Sequence, residues 1–460
     1  MKRFWLVLLS LGLIVAFSTS AMAVDVKFSG EYYAAGMYLD KISFQKHDVG
    51  QSTAFYFQRL RVRTDFIVSP GLSLVTRFDA MERAWGASRT APGTGLDTQS
   101  QGTVAENENI AFDMAYVSYV SPIGVFGVGY QGESTWGTVF GNSNTSVGKI
   151  TYTLPVSNFL FLVQLVKHAE LSKTAKLPSP YTDADYNAFY LMAIYKLKYG
   201  AIGIANFALF NHTNRTGSPL FSGVNAYKTE IPLYFVPYAQ LKFGPVAVQA
   251  ELAYQNGKRR ADGPVTPGVN DDADISTLAG WLDVVADFGI AYVGGTFAYV
   301  SADDPSTTDK IEGGFYTGGS DFNPCLILWN YDRAYWAGNI NGHDSTSNGI
   351  TFNNGFLYQI RAGVRPVDKL DIMASVTYAR AERTANSNPF SVPPGTGQWQ
   401  GRDYGYEVDL TATYKITNNL SYMLGGGYVF TGDFYKGINA LGTNEVQNDF
   451  LVINKLTLTF

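Results

Sequence analysis

The chain has 460 residues, with 34 Lys and Arg against 39 Asp and Glu, a formal charge of −5, and only 16% of it is charged. That mild acidity is wrong for a nucleic-acid binder. The single cysteine, Cys325, excludes an internal disulfide framework, C-x-x-C-H haem attachment and any cysteine-based zinc cluster.

In chain order, Lys2 and Arg3 precede the apolar run "FWLVLLSLGLIVAF" and small residues ending in Ala21-Met22-Ala23. This order predicts a secretory signal peptide over 1–23, cut after Ala23; losing Lys2 and Arg3 takes the formal charge from −5 to −7. With no cysteine after the cut, a lipid anchor there is not expected. Beyond it no apolar run approaches the roughly 18 residues a membrane helix needs. Residues 24–460 alternate instead, in segments separated by turn signals. Strands are predicted over 26–40, 53–68, 72–83, 108–121, 125–131, 148–154, 159–171, 185–199 and 201–211. The second half continues with 228–243, 246–256, 274–288, 290–302, 355–366, 370–382, 404–417, 420–431 and 449–460. The count is about eighteen, or sixteen if the weak 125–131 and 148–154 segments are discounted.

The connections narrow the fold. Short ones such as "SPG" (69–71), "SPIG" (121–124), "PVSN" (155–158), "FGP" (243–245), "PVDK" (366–369) and "TNN" (417–419) alternate with long polar ones. The long ones include 84–107, 212–227, 257–273, 303–354 and 383–403. Tyr and Phe at 30 each, with 47 Gly, suit many strands with interfacial aromatics, although a secreted sandwich or propeller shares that composition. Neither of those has a reason to alternate loop lengths. The pattern predicts an all-β protein, a transmembrane antiparallel up-and-down β-barrel of about 16–18 strands. The 303–354 stretch is expected to be a long external loop folding over the barrel mouth. The last segment, "DFLVINKLTLTF", ends on Phe460, like the C-terminal signal of assembled outer-membrane barrels.

In "FQRLRVRTDF" (57–66), Arg59, Arg61 and Arg63 fall on every second residue. A strand sends alternate side chains to opposite faces. In a membrane barrel the apolar face meets lipid, so Leu60, Val62 and Phe66 point out while Arg59, Arg61, Arg63 and Asp65 line water. In the following strand Leu72, Leu74 and Phe78 point out, and Ser73, Arg77 and Asp79 point in. A three-residue turn centred on Pro70 then pairs Arg63 with Arg77 and Arg61 with Asp79. Such a wall knits itself with ion pairs and also shapes the field at a narrow point, which predicts a modest anion preference.

The stretches "FYFQRLRVRTDFIVSPGLSLVTRFDAMERAWG" (55–86) and "AYVSYVSPIGVFGVGYQGESTWGTVFGN" (115–142), with the terminal Phe, resemble bacterial outer-membrane porins. The resemblance is closest to the porin-like proteins of sulfate- and metal-reducing bacteria. It implies a homotrimeric diffusion channel for small hydrophilic solutes and ions in the outer membrane, among lipid and lipopolysaccharide. It also implies a third external loop folded into the lumen opposite a basic cluster. That loop is 132–148, "GESTWGTVFGNSNTSVG", with Glu133 as its acid; it lacks the Pro-Glu-Phe-Gly-Gly signature of enterobacterial porins. Ala34-Ala35-Gly36, Gly425-Gly426-Gly427 and the short early strands are the expected trimer contacts.

No cofactor, metal site or catalytic residue is expected. His343-Asp344-Ser345 has the spacing of barrel phospholipases but sits in a Gly- and Asn-rich loop, and His47, His168 and His212 have no evident metal partner in sequence. A sleeve for a partner cytochrome is the other alternative, though about eighteen strands make a small bore for one. "NDDAD" (270–274) and "SADDPSTTD" (301–309) read as a solvated acidic rim without the spacing of a calcium loop. Trp281, Trp329, Trp336 and Trp399 read as belt or loop-core residues, with no aromatic track on one inward face.

Overall fold

In the computed structural model, the described residues are 24–42, 44, 52–86, 110–133, 135–143, 145–171, 183–216, 218, 226–263 and 272–304, followed by 306–307, 309–313, 318–338, 340, 351–384, 401–439, 442–444 and 446–460. Residues 1–23, His47, His343, Asp344, Ser345 and Trp399 lie outside them.

The first half of the sheet is β1 (Asp25–Leu39), β2 (Thr53–Ser69), β3 (Leu72–Ala84), β4 (Ile110–Ser121), β5 (Gly124–Glu133), β6 (Thr145–Val156), β7 (Phe159–Ala169), β8 (Tyr186–Leu197) and β9 (Gly200–Asn211). Next come β10 (Tyr227–Phe235) and β11 (Tyr238–Phe243), which together make one stave. It is interrupted at Val236-Pro237, where Pro237 has no N–H to give the ladder. The sheet continues with β12 (Val246–Ala261), β13 (Ala273–Asp287) and β14 (Ala291–Val300). A two-residue strand in the long loop, β15 (Lys310–Ile311), adds to β13 in parallel. The last staves are β16 (Gly355–Val367), β17 (Leu370–Arg380), β18 (Asp403–Lys415) and β19 (Leu420–Thr431). A small loop hairpin, β20 (Gly437–Asn439) and β21 (Gly442–Asn444), precedes the final stave β22 (Asp449–Thr459).

Each stave pairs antiparallel with the next, and β22 pairs back onto β1 from Glu31↔Thr459 to Leu39↔Leu451. Gly30 and Phe460 exchange both backbone hydrogen bonds at the seam, at 2.8 and 3.1 Å. The result is a closed antiparallel barrel of eighteen strands. The segments doubted at sequence level are full staves of 10 and 12 residues.

Alternation along β7 shows why these residues form strands. Phe159, Phe161, Val163 and Leu165 are exposed on the outer face, while Gln164 and Val166 point in. At the short-turn end of the barrel Tyr119, Phe159, Tyr199, Phe243 and Phe288 face outward, and at the other end Tyr56, Trp85, Phe112, Tyr130 and Tyr406 do. These are the two aromatic girdles of a membrane barrel. At the first short turn β2 and β3 are joined by Pro70-Gly71 alone, and φ of +81° at Gly71 is the i+2 position of a type II turn. The turn is thus one residue tighter than expected. An irregularity between Ile67 and Ser69 supplies the missing residue and restores the expected register.

The long loop of 303–354 goes further in than a cover over the mouth. Residues 318–337 lie along the inner faces of β16, β18, β19 and β22, and carry the helix α1 (Tyr331–Ala337). Glu407 of β18 accepts the backbone N–H groups of Leu326, Ile327 and Leu328 at 2.6–3.0 Å. Trp336 stacks on Phe57 at 4.7 Å, and Lys455 reaches Asp332 at 3.2 Å. Arg333 is fully buried, donating to the carbonyls of Gly338 at 2.7 Å and of Ile42. Burial pulls its pKa down to about 10, against the opposing pull of Asp449 and Glu407, so it stays charged at neutral pH. Gly425 and Gly427 point inward, and Leu326 sits over them; a Cβ on Gly427 would lie 3.2 Å from Leu326 Cβ and 2.6 Å from Asp409 Oδ1.

Cys325 is buried under this insert and its thiol pKa is raised by burial, then by Glu407 and Asp409. The native chain is therefore expected to resist maleimide. Gly427→Val overpacks the inner wall, at a cost of about 1–3 kcal/mol, and should displace the insert while the barrel stays folded. Labelling of Cys325 should then accelerate at least about tenfold with the far-UV circular dichroism unchanged; labelling as slow as in the parent protein would mean the insert is not seated there.

Candidate functional site: the charged wall and the in-folded loops

The register places Arg61 opposite Asp79 and Arg63 opposite Arg77. Slipping β2 by one residue would turn Arg59, Arg61 and Arg63 to lipid, at about 2–4 kcal/mol for each near the midplane. No alternative register competes with that.

The row is paired along its whole length. Arg61 makes a fork on Asp79, with Nε and Nη2 each 2.6 Å from a carboxylate oxygen. Arg77 does the same to Asp113 of β4, its Nε at 3.0 Å from both oxygens. Arg63 Nε is 3.0 Å from Asp65, and Arg59 lies 3.6 Å from Glu31 and 3.7 Å from Glu82. Five carboxylates thus face four guanidiniums. Sequence reasoning missed Asp113, Glu82 and Glu31 because their pairing runs across strands. Glu31 lies on the inward parity of β1, whereas Glu82 and Asp113 sit at register shifts that turn them inward, which alternation by itself does not signal. The structure builds a ladder of alternating sign, not a bare positive wall.

The insert faces this ladder. Burial pushes the phenols of Tyr331 and Tyr335 up; Glu82 adds to it, and Arg59 opposes. The two rings stack at 5.9 Å, and Tyr335 is exposed.

The third loop enters the lumen from β5 and crosses to the far wall. Thr138 gives its N–H and its hydroxyl to Glu251 Oε2 on β12, both at 2.8 Å. Trp136 donates to the Val236 carbonyl at 2.9 Å, at the break in the β10–β11 stave, and Gln240 donates to Gly137. Phe140 is stacked on Trp281 at 6.2 Å and meets Phe322 of the long loop edge-on at 5.3 Å. Gly319 N–H donates to the Phe140 carbonyl at 2.7 Å and Asp321 N–H to that of Asn142 at 3.0 Å. The two loops are one body. Trp281, Trp329 and Trp336 all belong to this interior packing.

Glu133, the acid expected of the third loop, is the last residue of β5 and is buried. Its oxygens take Lys149 Nζ at 3.0 Å and the Tyr190 hydroxyl at 2.7 Å. His168 bonds Tyr190 at 3.2 Å, and His212 lies between Asp183 and Glu230 at 3.0 and 3.1 Å. Among the described residues the one group with metal-ligand proximity is Cys325, Glu407 and Asp409. Glu407 there already holds three backbone N–H groups, so the group fits a loop anchor better than a metal centre. At the rim, Asp272 pairs with Arg260 and Asp304 with Arg383, both within 3 Å.

A closed eighteen-stranded barrel with an apolar outside, a charged inner wall and loops folded into its lumen has the fold of an outer-membrane porin. Neither a protein-family model nor a curated protein sequence matches this chain. Solved structures do. Pseudomonas aeruginosa OccK2 (OpdF) in complex with glucuronate aligns with a TM-score of 0.51 at 9% identity, covering 95% of this chain and 97% of that one. The same protein solved as OccK2 (OpdF) alone gives 0.50 at 9%, covering 95% and 98%. A BenF-like porin from Pseudomonas fluorescens Pf-5 gives 0.49 at 10%, covering 94% and 99%. At these identities the likeness is one of fold.

The pairing makes a double-mutant test available. Arg61→Gln unmasks Asp79 and should move the zero-current potential toward cations; Asp79→Asn should move it toward anions. The double variant should return close to the parent value. Singles that leave the potential unmoved would place the pair off the ion path.

Proposed function

We propose that this chain is an outer-membrane porin of a Gram-negative cell, exported by its signal peptide and passing small hydrophilic solutes and ions by passive diffusion, without catalysis or cofactor. The observation that carries the proposal is the closed barrel whose inner wall holds the charges of β2, β3 and β4, Arg61, Arg77, Asp79 and Asp113 among them. Charge on the inner face of a lipid-embedded barrel is stable only against water. Kinship with the porin-like proteins of sulfate- and metal-reducing bacteria is the finer part, and rests on the stretches 55–86 and 115–142. The cytochrome-sleeve alternative loses support, since the insert and the third loop occupy the inner face of the wall.

Anion preference is a further refinement. It rests on the row itself, whose most accessible member is Arg63, with 43% of its side chain open to the lumen. The five pairing carboxylates outnumber the four guanidiniums, so the preference rests on the accessibility of Arg63 alone. A homotrimer remains part of the proposal in narrower form: Gly425 and Gly427 serve the insert and Gly36 is covered by Tyr56, which leaves Ala34 and Gly426 on the outer parity as the small-residue contacts. Native mass spectrometry in mild detergent showing only monomers would remove it.

Single-channel recording in a planar bilayer tests the main proposal: stepwise ohmic conductance is expected, and purified, folded protein that never conducts would refute it. In a salt gradient the zero-current potential should lie slightly on the anion side and shrink at high salt, as screening shortens the reach of the ladder. Arg63→Gln should carry it to the cation side. If that variant matches the parent, the row is a strut and not the filter.

A further inference from the structure

Behind the third loop, away from the arginine ladder, the inner faces of β6 to β12 leave a cavity of about 440 Å³. That is the size of a small-molecule site. Five aromatic rings from four elements converge on it: Trp136 of the third loop, Tyr186 and Tyr190 of β8, Phe207 of β9 and Tyr234 of β10. No single strand carries more than two of them, which is why no aromatic track shows in the sequence. Phe207 meets Tyr190 at 4.7 Å and Tyr234 at 5.3 Å, and Tyr186 lies flat on His168 at 4.3 Å. The surface is rigid and ring-lined.

The charges that line it are engaged with one another or with the loop. Lys149 is bound to Glu133 at 3.0 Å and to the Gln164 carbonyl oxygen at 3.1 Å. Tyr190 holds the other oxygen of Glu133, and Glu251 receives the N–H and the hydroxyl of Thr138. A charged guest would enter a half-enclosed site whose ions are already matched, and would pay its own desolvation. A neutral guest avoids that cost. What the cavity offers it is flat apolar surface beside polar edges from Thr135, Gln164, His168 and Gln255. A pyranose ring has that character, one face of C–H groups and a rim of hydroxyls.

We propose that this cavity is a binding site for a neutral sugar of one or two rings, a station on the diffusion path apart from the ladder. It rests on the porin proposal only for how the sugar arrives. Binding and conduction are therefore measured separately on the full mature chain. Equilibrium dialysis of detergent-solubilised protein with labelled glucose or maltose reads the site, and ion current in a planar bilayer reads passage. Wild type should bind saturably, and the sugar should lower the current over the same concentration range. Tyr186→Ala should weaken both about tenfold, while Tyr186→Phe, which keeps the ring, should leave them unchanged. His168→Ala serves if Tyr186→Ala loses its β circular dichroism.

Conducting protein that binds neither sugar overturns the site and leaves the porin intact. Sugar binding that fails in Tyr186→Ala, on protein that never conducts, upholds the site and sinks the porin proposal. Choline or benzoate competing at lower concentration than glucose overturns the assignment to a neutral ring.

Discussion

A strand in hydrocarbon has no water to satisfy its N–H and C=O groups, so every one must find a neighbouring strand. That requirement makes the seam between β1 and β22 the contact on which the rest depends. Once the sheet closes, register follows from charge. The guanidiniums of Arg59, Arg61 and Arg63 tolerate only the wet side, and that fixes β2 against β1 and β3. The bulge near Val68 is a consequence: a tight Pro-Gly turn would leave the strands mismatched by one, and the chain absorbs the difference where it is least exposed to lipid, beside the turn.

Closure also creates the problem the loops solve. A barrel of eighteen strands is too wide for its own inward side chains to fill. The third loop and the long insert supply a core of their own around Phe140, Trp281, Phe322, Trp329 and Phe352. Loop backbone carried into the interior brings N–H groups with no strand to pair with, and inward carboxylates on the staves receive them. Glu407 takes three from the insert, Glu251 one from the third loop, and Asp449 that of Lys41 in the first. Outside the staves Asp262 does the same for Thr216; partial burial acts to raise its pKa, but Arg215, the Thr216 N–H and Lys228 outweigh that and hold it low. The acids of the upper wall are mostly loop anchors.

This division marks what the sequence could and could not disclose. Alternation is local, and each stave was visible within a few residues of its true ends; the pairing of Arg61 with Asp79 followed from turn and parity alone. The path of the loops is not local. Thr138 meets Glu251 at a separation of 113 residues, and Gly319 meets Phe140 from across the barrel. Nothing in "GESTWGTVFGNSNTSVG" by itself says that Glu133 stays on its own wall while Trp136 and Phe140 travel. α1 has only 7 residues, two turns, too few to announce a helical period. The break in the tenth stave was legible in principle, since Pro237 stands in an otherwise regular run and a proline there forfeits a ladder bond.

The interior that results has two unlike sides. Along β2, β3 and β4 runs a ladder of alternating charge, Arg63 held by Asp65 of its own strand and the other guanidiniums by carboxylates of neighbouring strands. Along β6 to β12 the wall is aromatic, and its ions are engaged by one another and by the third loop. A mobile ion gains at the ladder because any one pair can open and re-form on it at little cost in partly solvated surroundings. It gains nothing at the aromatic side, where the pairs are buried and breaking one leaves a charge stranded. Uncharged rings experience the reverse. On the proposals made above, charge selection and shape selection would sit on different strands, and changes in one should leave the other nearly unaltered. The body of loops inside the barrel belongs to neither wall, and its position is held by Glu407 and Glu251.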